Sequence, residues 1–192
     1  ALNALADHTQ LSEEKVFALE RLVFLEADPE CRKGYERRLG LLFLGQEEKA
    51  LEGLETLMAI LSVSPEDDEL FLRLEAHCLE DHLDRLAQVY ELRLSTREGD
   101  EAASMMRQLA KVHDTARNDV AAVNVWTRIL EIEPGAPDVR AALHTGLRVT
   151  QRWGELCELL ADLAAGTDGE QRRTYWAERA HCLEEMLRDP SS

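Results

Sequence analysis

The side chains in this 192-residue chain best suited to chemistry are two adjacent histidine–cysteine pairs, His77-Cys78 and His181-Cys182. Imidazole nitrogen and thiolate sulfur are the usual ligands of zinc. Neighbouring residues on a helix project about 100° apart, however, so neither pair forms a chelate by itself. The two pairs also lie far apart in sequence, and no CxxC or HxxxH spacing occurs. A cysteine nucleophile needs a base beside it, and Cys31 and Cys157 have no suitable sequence neighbour. Phosphate-cradling loops of the GxxxxGK[ST] or GxGxxG kind are missing. The carboxylate runs Glu47-Glu48 and Glu66 to Glu69 read as solvated faces and acidic helix starts. No catalytic, metal or cofactor site is therefore expected, and the expectation is a non-enzyme.

Charge narrows the partners. Thirty-eight Asp and Glu against 22 Lys and Arg give a formal net charge of −16. Binding to a phosphate backbone needs a basic footprint, so nucleic acid and anionic membrane surfaces are excluded as expectations, and a basic protein surface is favoured. No apolar run approaches the roughly 20 residues of a membrane span; the densest, Leu39 to Leu44, is interrupted by Gly40. ALNALADHTQ lacks the features of a signal peptide. Four cysteines without close pairing suggest a reducing compartment, the cytoplasm.

The elements that would position any surface are helical. The apolar load is carried by Leu and Ala, both strong helix formers, and Pro and Gly punctuate rather than scatter. Ser12 is expected to cap a helix running to about Ala27, after a frayed helix over the first ten residues. Asp28-Pro29 caps and starts the next, which ends at Gly45. A third helix runs from about Gln46 to Val63. Ser64-Pro65-Glu66-Asp67 is read as a second cap with a proline start, followed by Leu70, Phe71, Leu74 and Cys78. A turn at Asp81 leads to Leu86, Ala87, Tyr90 and Leu94. The stretch from Glu101 to Pro134 reads as two amphipathic helices broken at Asn118 and Asp119, with Met106, Leu109, Ala110 and His113 on one stripe and Ala122, Trp126, Ile129 and Leu130 on the other. Thr167-x-x-Glu170 resembles a capping box, before a last helix carrying Tyr175, Trp176, Ala180, Leu183 and Leu187. Trp126, Trp153 and Trp176 are expected in the core. Phe43 and Tyr175 are expected to be the exposed aromatics.

The breaks recur. Major stops near Pro29, Pro65, Gly99, Pro134 and Asp168 are spaced by 36, 34, 35 and 34 residues, and mid-unit turns near Gly45, Asp81, Asn118, Trp153 and Asp189 by 36, 37, 35 and 36. Two interleaved series with one period mean a helix–turn–helix unit repeated about every 35 residues. The predicted division is a single array over 1–192: a partial first unit over 1–28, helix pairs over 29–64, 65–99, 100–134 and 135–168, and a partial last unit over 169–192.

A pair of this length resembles the tetratricopeptide (TPR) repeat. With Ala103 at the first position, Pro134 falls on that family's helix-ending proline, Ala110 and Ala122 on its two small packing positions, and Trp126 on its large aromatic one. Leu109 matches too, whereas Met106, His113 and Ile129 depart from the usual Trp, Tyr and Ala. The next unit keeps only the apolar pattern, in Leu143, Leu147, Leu156 and Leu160. Half-a-TPR and Sel1-like repeats share the length. The resemblance implies an all-α, right-handed α-solenoid of about five antiparallel helix pairs whose first helices line a concave groove for a partner. Carried across from the family, the groove positions are Ser104, Arg107, Lys111, Asp114 and Thr115, with Asp138, Ala141, Thr145, Arg148 and Val149 in the next unit. The earlier units offer Lys33, Glu36, Phe43, Glu69 and Leu72, and the last Arg172, Tyr175 and Arg179. Lys111 stands where chaperone-binding members carry an Asn, so their carboxylate clamp is not expected. What the resemblance implies is a cytoplasmic protein-binding scaffold for a peptide, a helix or a small domain such as a small GTPase, within a bacterial assembly, signalling or motility system. The alternative is a spacer that self-associates through its terminal helices.

Overall fold

A computed structural model describes the backbone of residues 2–188 and the side chains of residues 13–185 other than Glu80. The turn expected at Asp189-Pro190 and the end of the last apolar stripe at Leu187 lie outside the described residues. Contacts divide the chain into two compact units, Ala1–Thr96 and Arg97–Ser192. Among the described residues the fold is all-α, with consecutive helices packed in pairs.

The first unit holds α1 (Leu2–Leu25), α2 (Pro29–Leu44), α3 (Ala50–Val63), α4 (Asp68–Asp81) and α5 (Leu83–Leu94). Helix α1 is continuous through Ser12, so no helix starts there. The first 28 residues contain neither Gly nor Pro, and a lone serine flanked by good helix formers does not break a helix. Asp28 does cap α2: its Oδ1 accepts from the Cys31 N–H at 2.9 Å, with Pro29 behind it. Helix α3 is entered through a 3₁₀ turn at Glu47–Lys49. The cap of α4 is Asp67, whose Oδ1 accepts from the Leu70 N–H at 3.0 Å, and Ser64 and Pro65 sit in the preceding turn. A carboxylate one residue before the helix displaced the expected Ser-Pro start, because it is placed to reach the free N–H groups of the first turn.

Helices α2 and α3 meet through glycines. Gly40 and Gly53 are buried, and a Cβ on Gly53 would lie 2.7 Å from the Gly40 carbonyl oxygen and 2.8 Å from the Leu44 nitrogen. Leu54, Leu57, Leu61 and Phe43 close the core around that contact. Gly40 and Gly53 precede Ala110 and Ala122 by 70 and 69 positions. The close approach expected in the central pair is therefore repeated here with still smaller residues.

The second unit holds α6 (Gly99–Thr115), α7 (Asp119–Ile132), α8 (Pro137–Val149), α9 (Trp153–Ala165) and α10 (Gly169–Arg188). Met106, Leu109, Ala110, Ala122, Trp126 and Ile129 are buried as the stripes predict. The Asn118 carboxamide oxygen accepts from the Ala121 N–H and caps α7. Helices α6 and α8 end alike. Arg117 and Gln151 take φ of 55° and 57°, and the next N–H reaches back to His113 and Leu147 respectively, closing a Schellman turn without glycine. Thr167 is no N-cap; its hydroxyl donates to the Leu163 carbonyl at 2.9 Å, and α10 starts at Gly169 with φ 65°.

The last helix departs from expectation. Trp176 is 46% exposed and Leu183 42%. Seventy positions before Trp176, Met106 is buried in the α6–α7 pair, whereas among the described residues no helix follows α10. Trp153 is half-buried, so only Trp126 of the three tryptophans lies in the core.

Candidate partner-binding surface

Two clefts adjoin on α8. One, of about 440 Å³, lies between α8 and the α6–α7 pair and is lined by Asp114, Asp119, Val123, Trp126, Ala141 and Val149, among others. The other, of about 460 Å³, opens between α8 and α10 beside Arg140, His144, Tyr175 and Glu178. Ala141 and Thr145 line both, so the exposed face of α8 runs from one into the other.

The depth of the first cleft follows from small residues. A Cβ on Gly146 would sit 2.5 Å from Val123 Cγ2, so only glycine lets α8 pack this close to α7. Ala141 and Ala142 then leave space above the buried Ala122, Val123 and Trp126. At the second cleft His144 Nε2 lies 2.8 Å from Glu178, and Arg148 stands 3.5 Å from the same carboxylate.

The expected groove positions fall into three groups. Asp114 and Tyr175 line the two clefts, together with Ala141, Thr145 and Val149. Lys111 is exposed, Glu36 is half-buried, Leu72 is 59% exposed, and Arg148 projects from α8. The rest are held by the fold. The Lys33 ammonium donates to the Ser64 hydroxyl. Glu69 accepts from Arg37 and Arg73, both at 3.2 Å. Arg172 spans the α9–α10 turn, donating to the Ala164 and Thr167 carbonyls and pairing with Asp168. Arg107 grips Glu133 at 2.6 Å and Asp138 at 3.0 Å. Hydrogen bonding to Arg107 lowers both carboxyls below their ordinary range and pushes the guanidinium further up.

Phe43 corrects an expectation. It is 2% exposed, beneath the Lys49 ammonium, which lies 4.5 Å from its ring centroid. The expected alignment shifted α2 by 71 positions, whereas Gly40 and Ala110 set the structural register at 70. One residue of slip turns a helix face by about 100°, which moves Phe43 from surface to core. In the correct register Arg37 stands for Arg107. Arg37 likewise clamps acids of the following pair, Asp67 at 2.5 Å and Glu69. The arginine at this position is a staple between successive pairs in both units.

Asp119, Val123, Gly146 and His144 were missed by the residue pattern. Asp119 and Val123 lie on a second helix of a pair, and the first-helix rule excluded them. Among the described residues no three His, Cys, Asp or Glu side chains gather as around a metal ion. Nor is any described helix long and apolar enough to cross a membrane.

Consecutive helix pairs at a period of about 35 residues make this an all-α helical-repeat fold. No protein-family model matches the sequence, and no curated protein does. Among solved structures it is similar to a Podosopora anserina putative kinesin light chain with nearly identical TPR-like repeats, at 18% identity over 92% of each chain with a TM-score of 0.40. A single-substitution variant of that protein matches at 18% identity over 94% of this chain and 93% of the other, with a TM-score of 0.39.

Proposed function

We propose that the protein is a non-enzymatic scaffold that binds a segment of a partner protein along the face of α8, between α6 and α10, within a multiprotein assembly. The observation that carries this reading is the pair of clefts joined through Ala141 and Thr145. Concave, mostly apolar surface with a few polar groups is where partners dock, and a continuous strip suits an extended peptide or a helix. A photo-crosslinking residue at position 145 tests it, with one at the exposed position 47 as control. A partner trapped at 145, absent at 47 and lost in Ala141→Arg, supports the reading. The same proteins trapped at both positions overturn it.

A second reading, self-association, is favoured by α1. Phe17 is 65% exposed and Phe24 80%, on a helix whose opposite side already packs on α2. Apolar surface on both sides of a helix calls for a second cover. Sedimentation velocity decides: a dimer dispersed by Phe17→Ser with Phe24→Ser supports it, and a monomer at all concentrations rejects it.

A further inference from the structure

We infer that the cleft between α8 and the α6–α7 pair selects a partner segment in which an aliphatic side chain is flanked by lysine or arginine. The inference rests on the α8-face reading and names the chemistry of its occupant. The cleft interior is apolar: Ala122, Val123 and Trp126 form its base, Ala141 and Ala142 its side, and Val149, 59% exposed, extends it at the rim. An aliphatic side chain entering there loses contact with water over most of its surface. The charged residues lining the cleft are both carboxylates, Asp114 and Asp119, and no lysine or arginine lines it.

The placement of Asp114 goes against local stability. Asp114 occupies the last turn of α6, where the helix dipole disfavours an anion. Asp119 faces it from the first turn of α7, where an anion is favoured, so only Asp114 is held against its helix. Among the described residues neither is ion-paired to a lysine or arginine. Partial burial and the Asp119 charge both raise the Asp114 carboxyl above its ordinary value, with only His113 opposing. A cation in the cleft removes that repulsion. A residue that breaks a local rule without a compensating contact within the fold marks a functional position, and Asp114 is one.

The test uses the intact chain and three fluorescein-labelled dodecapeptides, alternating Leu-Lys, Leu-Glu and Ser-Lys, read by anisotropy at physiological salt. Leu-Lys binding about tenfold or more tighter than the other two is expected. Asp114→Asn with Asp119→Asn weakens it by about fivefold to tenfold, whereas Glu47→Gln with Glu48→Gln, the same change in net charge at an exposed site of the first unit, leaves it within about twofold. Asp114→Asn alone gives part of the loss without touching a helix start. If Leu-Glu binds as tightly as Leu-Lys and Ala141→Arg blocks it, the α8 surface stands and the charge selection fails. Equal losses from the two acid pairs, or no binding of Leu-Lys, overturn the inference, and crosslinking at position 145 then decides the surface separately.

Discussion

Replacing Gly53 by alanine sets two effects of opposite sign against each other. Alanine stabilises a helix interior by about 1 kcal/mol relative to glycine. The added methyl, however, meets α2 backbone, at 2.7 Å from the Gly40 oxygen and 2.8 Å from the Leu44 nitrogen, as well as Phe43 Cβ. Backbone has no rotamer to change, so α2 and α3 must separate by roughly 0.6 Å to restore ordinary contact. A gap of that size forfeits a quarter or more of the dispersion attraction across the interface. Leu54, Leu57 and Leu61, all fully buried, share that loss. Overpacking against an immovable neighbour costs about 3 kcal/mol, leaving a net destabilisation of about 2 kcal/mol and a melting temperature about 4–8 °C lower. Gly40→Ala is the internal control. Its methyl meets chiefly Leu57 Cγ and Cδ2, at 2.8 and 3.0 Å. Leu57 is fully buried and can shift only slightly, so Gly40→Ala costs less than Gly53→Ala, because a side chain rather than backbone gives way. Circular dichroism at 222 nm through urea titration measures both. A Gly53→Ala chain as stable as the parent, or a Gly40→Ala chain less stable than Gly53→Ala, refutes the claim that backbone contact sets this pair's geometry.

Acid should loosen the second unit through Arg107. Glu133 and Asp138 have folded pKa values below their ordinary 4.5 and 3.8. Their stabilisation is complete above those values and is lost as pH falls through the lower folded ones. Arg107→Gln should flatten the fall in melting temperature below about pH 4.5, and parallel curves for the two proteins would rule the clamp out. Thiol labelling of the native protein at pH 8 should find the exposed Cys31 the fastest of the four, although the Asp28 charge raises its thiol above the ordinary value. Burial pushes Cys78 and Cys182 up to about 11, leaving about one thiolate in a thousand; two or more fast thiols contradict this packing. Arg117→Gly should stabilise by about 1 kcal/mol, because the residue closing α6 sits at φ 55°. Asn118→Ala should cost about 1 kcal/mol by removing the α7 cap. Thermal melts of these last two variants must move in opposite directions.

Helices and their stops are local events, and the sequence alone determined most of them. Asp28-Pro29 and Asn118 cap the helices that follow because an acceptor and the N–H it satisfies lie three residues apart. The 35-residue period, the helix pairs and the buried stripe of α6 and α7 follow from the same short-range rules. Where two caps competed within four residues, as at Ser64 and Asp67, composition could not rank them, because the winner depends on which oxygen the turn aims at the free N–H. Tertiary structure decided which face each helix covers. Phe43 went to the core because Gly40 and Gly53 fix the α2–α3 register, and one residue of slip is a third of a turn. Trp176 stayed exposed because covering it takes a helix from another segment, whatever its own stripe. Arg107 became a clamp rather than a groove residue because Glu133 and Asp138, about thirty positions onward, fold back onto it. The α8 surface depends on Gly146 meeting Val123 across two helices. Contacts between segments so far apart in the chain leave no trace in the spacing of neighbouring residues, and they set the surface that a partner meets.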